Sequence, residues 1–362
     1  MNDKQISKIS IEGYKSINKC EIELKMLNVL IGSNGSGKSN FISLFKLLDN
    51  MIAEKLQLYV TLNGGAESFL FFGSKNTEKM KVKFRFGNNG YDFELVPAQG
   101  DHLVFANEAF YWNMNGTWSL GSGHLESKWR YGTNTGIDSF VQSILKEQRW
   151  KVYHFHDTSD NASVKKYHSL SDNLQLADDA RNLGAFLYRL RETEEGKYQY
   201  IVDIIRLAAP YFHDFVLEPD PINPDSILLR WNDIHSDVPF SVAQMSDGTL
   251  RFICLTVLLM QPAELQPETI LIDEPELGLH PYAIKLLADM LKKASQKKQI
   301  IISTQSVELL NEFSVDNVIV VDHIDNHTEF ERLSEEQLKI WLDSDYSLGQ
   351  MWGENVFGGR PR

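Results

Sequence analysis

Cysteine is nearly missing from this chain: only Cys20 and Cys254 occur in 362 residues. Two such distant thiols give neither a disulfide framework nor metal-ligand spacing. Cys254 lies inside an apolar run and reads as a small buried hydrophobe. A bilayer-crossing segment is missing as well. The longest apolar stretch, Phe252 to Met260, is interrupted by Thr256 and is far shorter than the roughly 20 residues a span needs. Met1 to Ser10 are polar and lack the apolar centre of a signal peptide. The expected location is therefore the cytoplasm, with no membrane partner. There is no internal repeat, no low-complexity tract and no sustained heptad, which excludes solenoids and coiled-coil arms. What remains is an ordinary globular composition, 43% hydrophobic and 23% charged, with enough chain for about two domains.

The net charge of −13 is unevenly spread. Between Glu308 and Asp345 stand eleven carboxylates against Arg332 and Lys339 alone, so that segment carries −9. Global acidity is thus a weak argument against nucleic acid. Basic clusters occur at Lys79, Lys81, Lys83 and Arg85, and at Lys292, Lys293, Lys297 and Lys298. They read either as solvated faces or as phosphate-contacting patches.

Hydrophobic periodicity gives the organisation. Cys20, Ile22 and Leu24 alternate with charged residues as a strand, and Leu27 to Ile31 is a buried strand. From Lys38 to Met51 the period becomes helical, with Phe41, Leu44, Phe45 and Leu48 on one face. Met80, Val82, Phe84 and Phe86 restore a period of two, and Asn88-Asn89-Gly90 is a hairpin turn signal before Tyr91, Phe93 and Leu95. Antiparallel sheet is expected to about Trp118. A short strand follows at Lys151–His156, helix from about Asn173 to Tyr211, a strand at Ser226–Trp231 and a buried helix at Phe252–Met260. Strands then recur at Thr269–Ile272, Gln299–Ser303, Asn317–Val321 and Thr328–Leu333, with helices between the first two and after the last, the mark of an α/β fold with a partly parallel sheet.

Gly32-Ser33-Asn34-Gly35-Ser36-Gly37-Lys38-Ser39 matches the pattern G-x-x-x-x-G-K-[ST], between a strand and a helix, where a phosphate loop must lie. Its backbone N–H groups can form an anion nest and the helix N-terminus adds its dipole. Lys38 can reach the β- and γ-phosphates, and the Ser39 hydroxyl can ligate Mg²⁺. The strand Thr269–Ile272 delivers Asp273 to a sheet's C-terminal edge, where it can hold Mg²⁺, and Glu274 is placed to act as a general base on water. Asp273 lies 235 residues after Lys38. That long insertion indicates a head of the ATP-binding-cassette type with an inserted lobe.

At Met245-Ser246-Asp247-Gly248-Thr249-Leu250 a polar turn opens the apolar helix, so Ser246 and Gly248 can offer a hydroxyl and an N–H to phosphate. Ser-Asp-Gly here looks like a variant of the Leu-Ser-Gly-Gly-Gln signature of ABC ATPases. With Gly35-Ser36-Gly37-Lys38-Ser39-Asn40, Gly13-Tyr14-Lys15-Ser16-Ile17 and Asp273-Glu274-Pro275-Glu276-Leu277-Gly278-Leu279-His280-Pro281, the chain resembles the RecF/SMC-like branch of AAA-domain ATPases, which includes the ATPase half of OLD-family proteins. The resemblance implies an ABC-ATPase-type P-loop head with mixed and antiparallel sheets, an inserted helical lobe and no long coiled coil. The expected divisions are 1–160, holding the phosphate loop and an antiparallel region, a helical lobe at 161–225, and 226–362, holding the signature, the acidic strand and an acidic C-terminal segment.

The resemblance further implies ATP and Mg²⁺ as ligands and a homodimer with ATP between protomers, Ser246 and Gly248 capping the γ-phosphate in trans. Two departures stand out. Gln305 occupies the place where many ABC proteins carry a γ-phosphate-sensing His. The Gln-loop place falls near His154, His156 and Asp157, open to a metal, nucleotide-edge or structural role, with Gln148 a weaker candidate. Lys15 is a further nucleotide-edge candidate. His280 and His323 need no special role. About 40 residues follow the last core strand, too few for the Toprim domain of an OLD nuclease. The expectation is an ATPase that controls a separately encoded effector, such as a nuclease, in bacterial anti-phage defence. The alternatives are a RecF-like DNA-repair clamp that binds duplex DNA directly and an ATP-dependent oligomeric scaffold with little hydrolysis.

Overall fold

The computed structural model describes residues 4–113, 116–131, 136–146 and 150–360, and separates the chain into two units. One unit is Met1–Lys151 with Ser314–Arg362; the other is Val152–Phe313. Gln148 lies outside the described residues.

The first unit opens with β1 (Lys8–Tyr14), β2 (Ile17–Glu23) and β3 (Leu27–Ile31), followed by helices α1 (Lys38–Ile52) and α2 (Leu56–Leu62). Strands β4 (Met80–Phe86), β5 (Asn89–Ala98), β6 (His102–Trp112) and β7 (Gly116–Gly121) come next, then α3 (Gly136–Lys146). Six strands form an antiparallel sheet in the order β2-β1-β4-β5-β6-β7. In β4 the alternation is complete: Met80, Val82, Phe84 and Phe86 are fully buried while Lys81, Lys83 and Arg85 are not. The α1 helix packs on this apolar face, with the Phe45 and Phe84 rings edge to face at 5.9 Å. It buries Ile42, Leu47, Met51 and Ile52 as well as the expected stripe, because it is covered on more than one side.

One register differs from the sequence expectation. Phe86 pairs with Asn89 and Arg85 with Gly90, so the hairpin turn is Gly87-Asn88, one residue earlier. Gly87 takes the positive φ (56°) that this position of a two-residue loop demands.

Strand β8 (Trp150–Tyr153) leads into the second unit, which contains β9 (His168–Ser169), α4 (Leu183–Thr193), α5 (Glu195–Ala208), β10 (Phe212–Val216), β11 (Ser226–Ile227), β12 (Arg230–Asp233) and β13 (Phe240–Ser241). Then follow α6 (Asp247–Met260), β14 (Thr269–Asp273), α7 (Pro281–Ala294), β15 (Gln299–Thr304) and α8 (Val307–Leu310). Strands β14 and β15 are parallel, in register from Thr269–Gln299 to Asp273–Ser303. The helix expected from Asn173 begins only at Leu183. Asn182 is fully buried, and its side chain holds the preceding loop through Ala177 N and the carbonyls of Asp172 and Gln175. The strand expected over Ser226–Trp231 divides into β11, which pairs with β9, and β12, which pairs with β10 and β13.

The chain returns to the first unit with β16 (Val318–Ile324), β17 (His327–Arg332), α9 (Glu335–Leu342) and α10 (Leu348–Gly353). Strand β16 runs parallel to β3 and antiparallel to β17. No helix among the described residues is long and apolar enough to cross a membrane.

Candidate functional site

In the first unit the chain leaves β3 at Ile31 and enters α1 at Lys38, so Gly32 to Gly37 form the connecting loop. Two glycines are required by their neighbours. A Cβ on Gly32 would collide with the Val321 carbonyl of β16. Gly37 has φ +113°, and a Cβ there would lie 2.5 Å from Thr328 Cγ2 and 2.9 Å from its Cβ. Thr328, on β17, is itself fully buried; its hydroxyl donates to the Ser36 carbonyl at 2.9 Å and pairs with Ser16 Oγ at 2.7 Å. The tail also reaches the loop, where Ser33 N donates to the Gly359 carbonyl at 2.7 Å.

The start of α1 carries no side-chain cap; its N-cap is Gly37. Its first-turn N–H groups have no intrahelical acceptor, which makes this terminus a receptor for an anion. Ser36 Oγ is buried without a partner. Lys38 is largely buried, and its ammonium donates to the carbonyls of Gly32 (2.6 Å) and Ser33 (2.9 Å), curled over the loop it would share with a phosphate.

Beside this loop is a cleft of about 500 Å³ lined by Lys15, Ser16, Asn40, Phe71, Phe72 and His323. Asn40 donates to Ser16 Oγ at 2.7 Å, and Lys15 donates to Ser43 Oγ at 3.0 Å. Lys15 sits at positive φ (49°), and burial lowers its pKa from the ordinary lysine value. The structure thus brings the sequence candidates Lys15 and Asn40 together at one cleft with Ser16. Phe71 and Phe72 were not singled out from sequence.

In the second unit β14 and β15 end side by side and carry the acidic group. Ser303 Oγ donates to Asp273 Oδ1, and Glu274 N donates to the Ser303 carbonyl at 2.9 Å. Glu274 has φ +42°, and its carboxylate accepts from Gln305 Nε2. Gln305 therefore holds the carboxylate of Glu274. His156 Nε2 donates to the Asp273 carbonyl at 2.8 Å, tying the ring to the backbone of the acidic turn. Asp157 turns away and caps its own loop through Ser159 N and Oγ; the Ser159 hydroxyl and then its N–H hold the carboxylate below its usual range. Among the described residues no group of three or more His, Cys, Asp or Glu is arranged to hold a metal, His154, His156 and Asp157 included.

The α6 helix starts with Ser246 as its N-cap; Ser246 Oγ accepts from Thr249 N at 3.2 Å. Gly248 backs onto the Gly278 carbonyl so closely that no Cβ fits. Arg251, which the sequence did not single out, joins the same parts. Its guanidinium donates to the carbonyls of Phe155 (3.3 Å), His156 (2.9 Å) and Leu277 (3.0 Å) and to Thr158 Oγ1 (3.3 Å). His280 caps α7, its Nδ1 accepting from Tyr282 N.

Much of the basic charge is answered on its own surface. Lys79 and Lys81 both pair with Glu94, Arg85 with Asp92, Lys292 with Asp289 and Glu312, and Lys298 with Glu268.

A family model described as "AAA domain, putative AbiEii toxin, Type IV TA system" matches residues 27–311. Two solved structures share the fold. An Smc head bound to the C-winged helix domain of ScpA is 19% identical, with a TM-score of 0.59, covering 92% of this chain and 99% of that one. An Smc head with an extended coiled coil, bound to the C-terminal domain of ScpA derived from Pyrococcus furiosus, is 17% identical, with a TM-score of 0.54, covering 94% and 99%.

Proposed function

Because this chain belongs to that AAA-domain family and shares the fold of Smc heads, we propose that it is an SMC/RecF-like, ABC-class ATPase that binds and hydrolyses ATP and uses the cycle to control a separate effector. The observation that carries this reading is the uncapped start of α1 behind a glycine loop, with Lys38 folded onto the loop carbonyls. Such a terminus suits the phosphates of a nucleotide. In this reading Gly32 to Asn40 hold the phosphates. Lys38 exchanges its two carbonyl acceptors for phosphate oxygens. The cleft at Lys15, Ser16 and Asn40 takes the nucleoside edge.

Ser39 in the first unit and Asp273 in the second are each proposed, by residue type alone, as a donor to Mg²⁺. A hydroxyl and a carboxylate are the hard oxygen donors this ion prefers, and bound there it would offset phosphate charge. Glu274 accepts the proton of the attacking water, and Gln305 orients its carboxylate through the Nε2 hydrogen bond. Ser246 and Gly248 open α6 beside Asp247, whose side chain is 62% exposed. We assign them to a second protomer's ATP, giving an ATP-dependent homodimer or larger assembly.

The effector is proposed to be a separately encoded protein, a nuclease by preference, acting in anti-phage defence. The toxin–antitoxin wording of the family description supports that context, and the ScpA-bound Smc heads support a protein partner. The second reading, a DNA-repair clamp, loses ground because three of the four basic residues in the first cluster and two of the four in the second are paired with carboxylates.

The test is ATP turnover and native mass on one sample, for wild type and Glu274→Gln. Loss of the base lowers turnover by roughly 10²–10⁴-fold and leaves an ATP-bound dimer or larger species. Unchanged mass with ATP, together with no turnover in wild type, would overturn the reading. Turnover without any change in mass removes the dimer alone. ATP-dependent mass without turnover leaves a nucleotide-gated scaffold.

A further inference from the structure

Glu276 stands two residues past Glu274, beyond Pro275, and is partly exposed as a residue, with its carboxylate Oε2 buried. Its Oε1 accepts from Thr304 Oγ1 at 2.5 Å and from Gln305 N at 3.3 Å. Its Oε2 is buried and has no hydrogen-bond partner. Burial, and more weakly the nearby Glu274 charge, raise its pKa from the ordinary glutamate value. Desolvating a carboxylate is costly, and this one makes no contact that a solvent-facing chemical role would need. What it does hold is the Thr304–Gln305 peptide, the base from which the Gln305 side chain reaches Glu274. Thr304 Oγ1 in turn accepts from Ser306 N at 3.0 Å, so the carboxylate and this hydroxyl together tie down successive residues of the turn after β15.

We infer that Glu276 is a positioning residue for water activation: it anchors the turn that carries Gln305, and through Gln305 it sets the direction of the Glu274 carboxylate. The inference rests on the reading of Glu274 as the base. Both groups that donate to Glu276 are neutral, so the function requires an acceptor oxygen at this place rather than a negative charge. Glutamine supplies that oxygen and alanine does not.

The experiment compares wild type, Glu276→Ala, Glu276→Gln and Thr304→Val by steady-state ATP turnover, and by hydrogen exchange at the Gln305 amide without nucleotide. The expected result for Glu276→Ala is a kcat lower by roughly tenfold to a hundredfold, the scale of a misplaced reacting group, with KM for ATP within about twofold of wild type. Glu276→Gln restores most of kcat. Exchange at Gln305 rises about tenfold or more in Glu276→Ala and stays slow in Glu276→Gln. Thr304→Val, which removes the hydroxyl that donates to Glu276 and accepts from Ser306 N but leaves the Gln305 N bond to Glu276, gives the same kcat loss in weaker form if the alanine variant does not fold. The inference is overturned by unchanged kcat and exchange in Glu276→Ala, by a KM rise that matches the kcat loss, or by a glutamine variant as damaged as the alanine one. A wild type without turnover refutes the ATPase reading instead. The exchange at Gln305 then decides the anchoring by itself: slow exchange in Glu276→Ala sinks it and fast exchange upholds it.

Discussion

Gly37→Ala tests the packing behind the phosphate loop. The new methyl group would lie within 2.9 Å of Thr328 Cβ and closer still to its two branches. Thr328 has no room to yield, being fully buried and bonded to both Ser36 and Ser16. Overpacking of this kind costs about 1–3 kcal/mol. The backbone adds about 1–2 kcal/mol, because φ +113° is a conformation that L-residues avoid. A total near 3 kcal/mol, spread over an unfolding entropy of about 2.1 cal/mol/K per residue, lowers Tm by about 4 °C for a chain of this length melting as one. Thr328→Ala alone loses two hydrogen bonds, about 1–2 kcal/mol. In the double variant the clashes with Oγ1 and Cγ2 are gone, while the 2.9 Å approach to the retained Cβ, the φ cost and the lost bonds remain. Urea unfolding of the four proteins should therefore give a favourable coupling of about 1–3 kcal/mol between the two positions. Binding of a fluorescent ATP analogue should recover in parallel. Effects that add to within about 0.5 kcal/mol would refute the steric argument and leave Gly37 explained by backbone conformation alone.

Two further outcomes follow from groups outside the loop. Burial pushes both thiols up to about 12, Cys20 on β2 and Cys254 in α6. At pH 8 the thiolate fraction then falls from about one quarter to about one ten-thousandth, so iodoacetamide should label neither cysteine in the native protein and both in denaturant; rapid native labelling at pH 8 would contradict the burial. Arg251→Lys should lose about 2–3 kcal/mol and some turnover, because a single ammonium cannot span acceptors on Phe155, His156 and Leu277 at once. Stability and turnover equal to wild type would show that the fork is dispensable.

The parts of this protein that follow from local chemistry were legible in its sequence. The strand–glycine–helix run at 27–52 and the apolar strand ending in Asp273 and Glu274 need only neighbouring residues to be recognised, and the period of two in β4 needs only seven. The misread places are those where a distant group decides. The hairpin register turns on which glycine takes positive φ, and Gly87 does so in place of the Asn89-Gly90 pair. The residues from Asn173 to Asn182 look helical, yet a single buried amide holds them as a loop. Glu276 was visible only as one letter of a motif; its work depends on Thr304 and Gln305, on another strand. His156, with an open role in sequence, became a donor to a backbone carbonyl because the ring and Asp273 meet across 117 positions of chain.

Thr328 lies 292 residues beyond Ser36, whose carbonyl it secures. At the usual pace of synthesis, about 5–20 residues per second, the ribosome delivers Thr328 roughly 15 to 60 seconds after the loop it braces. For that interval the nascent chain carries a nucleotide loop with no wall behind it. Nucleotide is then a poor early guide to folding, and a polypeptide cut short anywhere before β17 should bind ATP weakly even though every residue of the loop itself is present. Quality control is built into the order of the chain: competence for ATP arrives with one of its last strands.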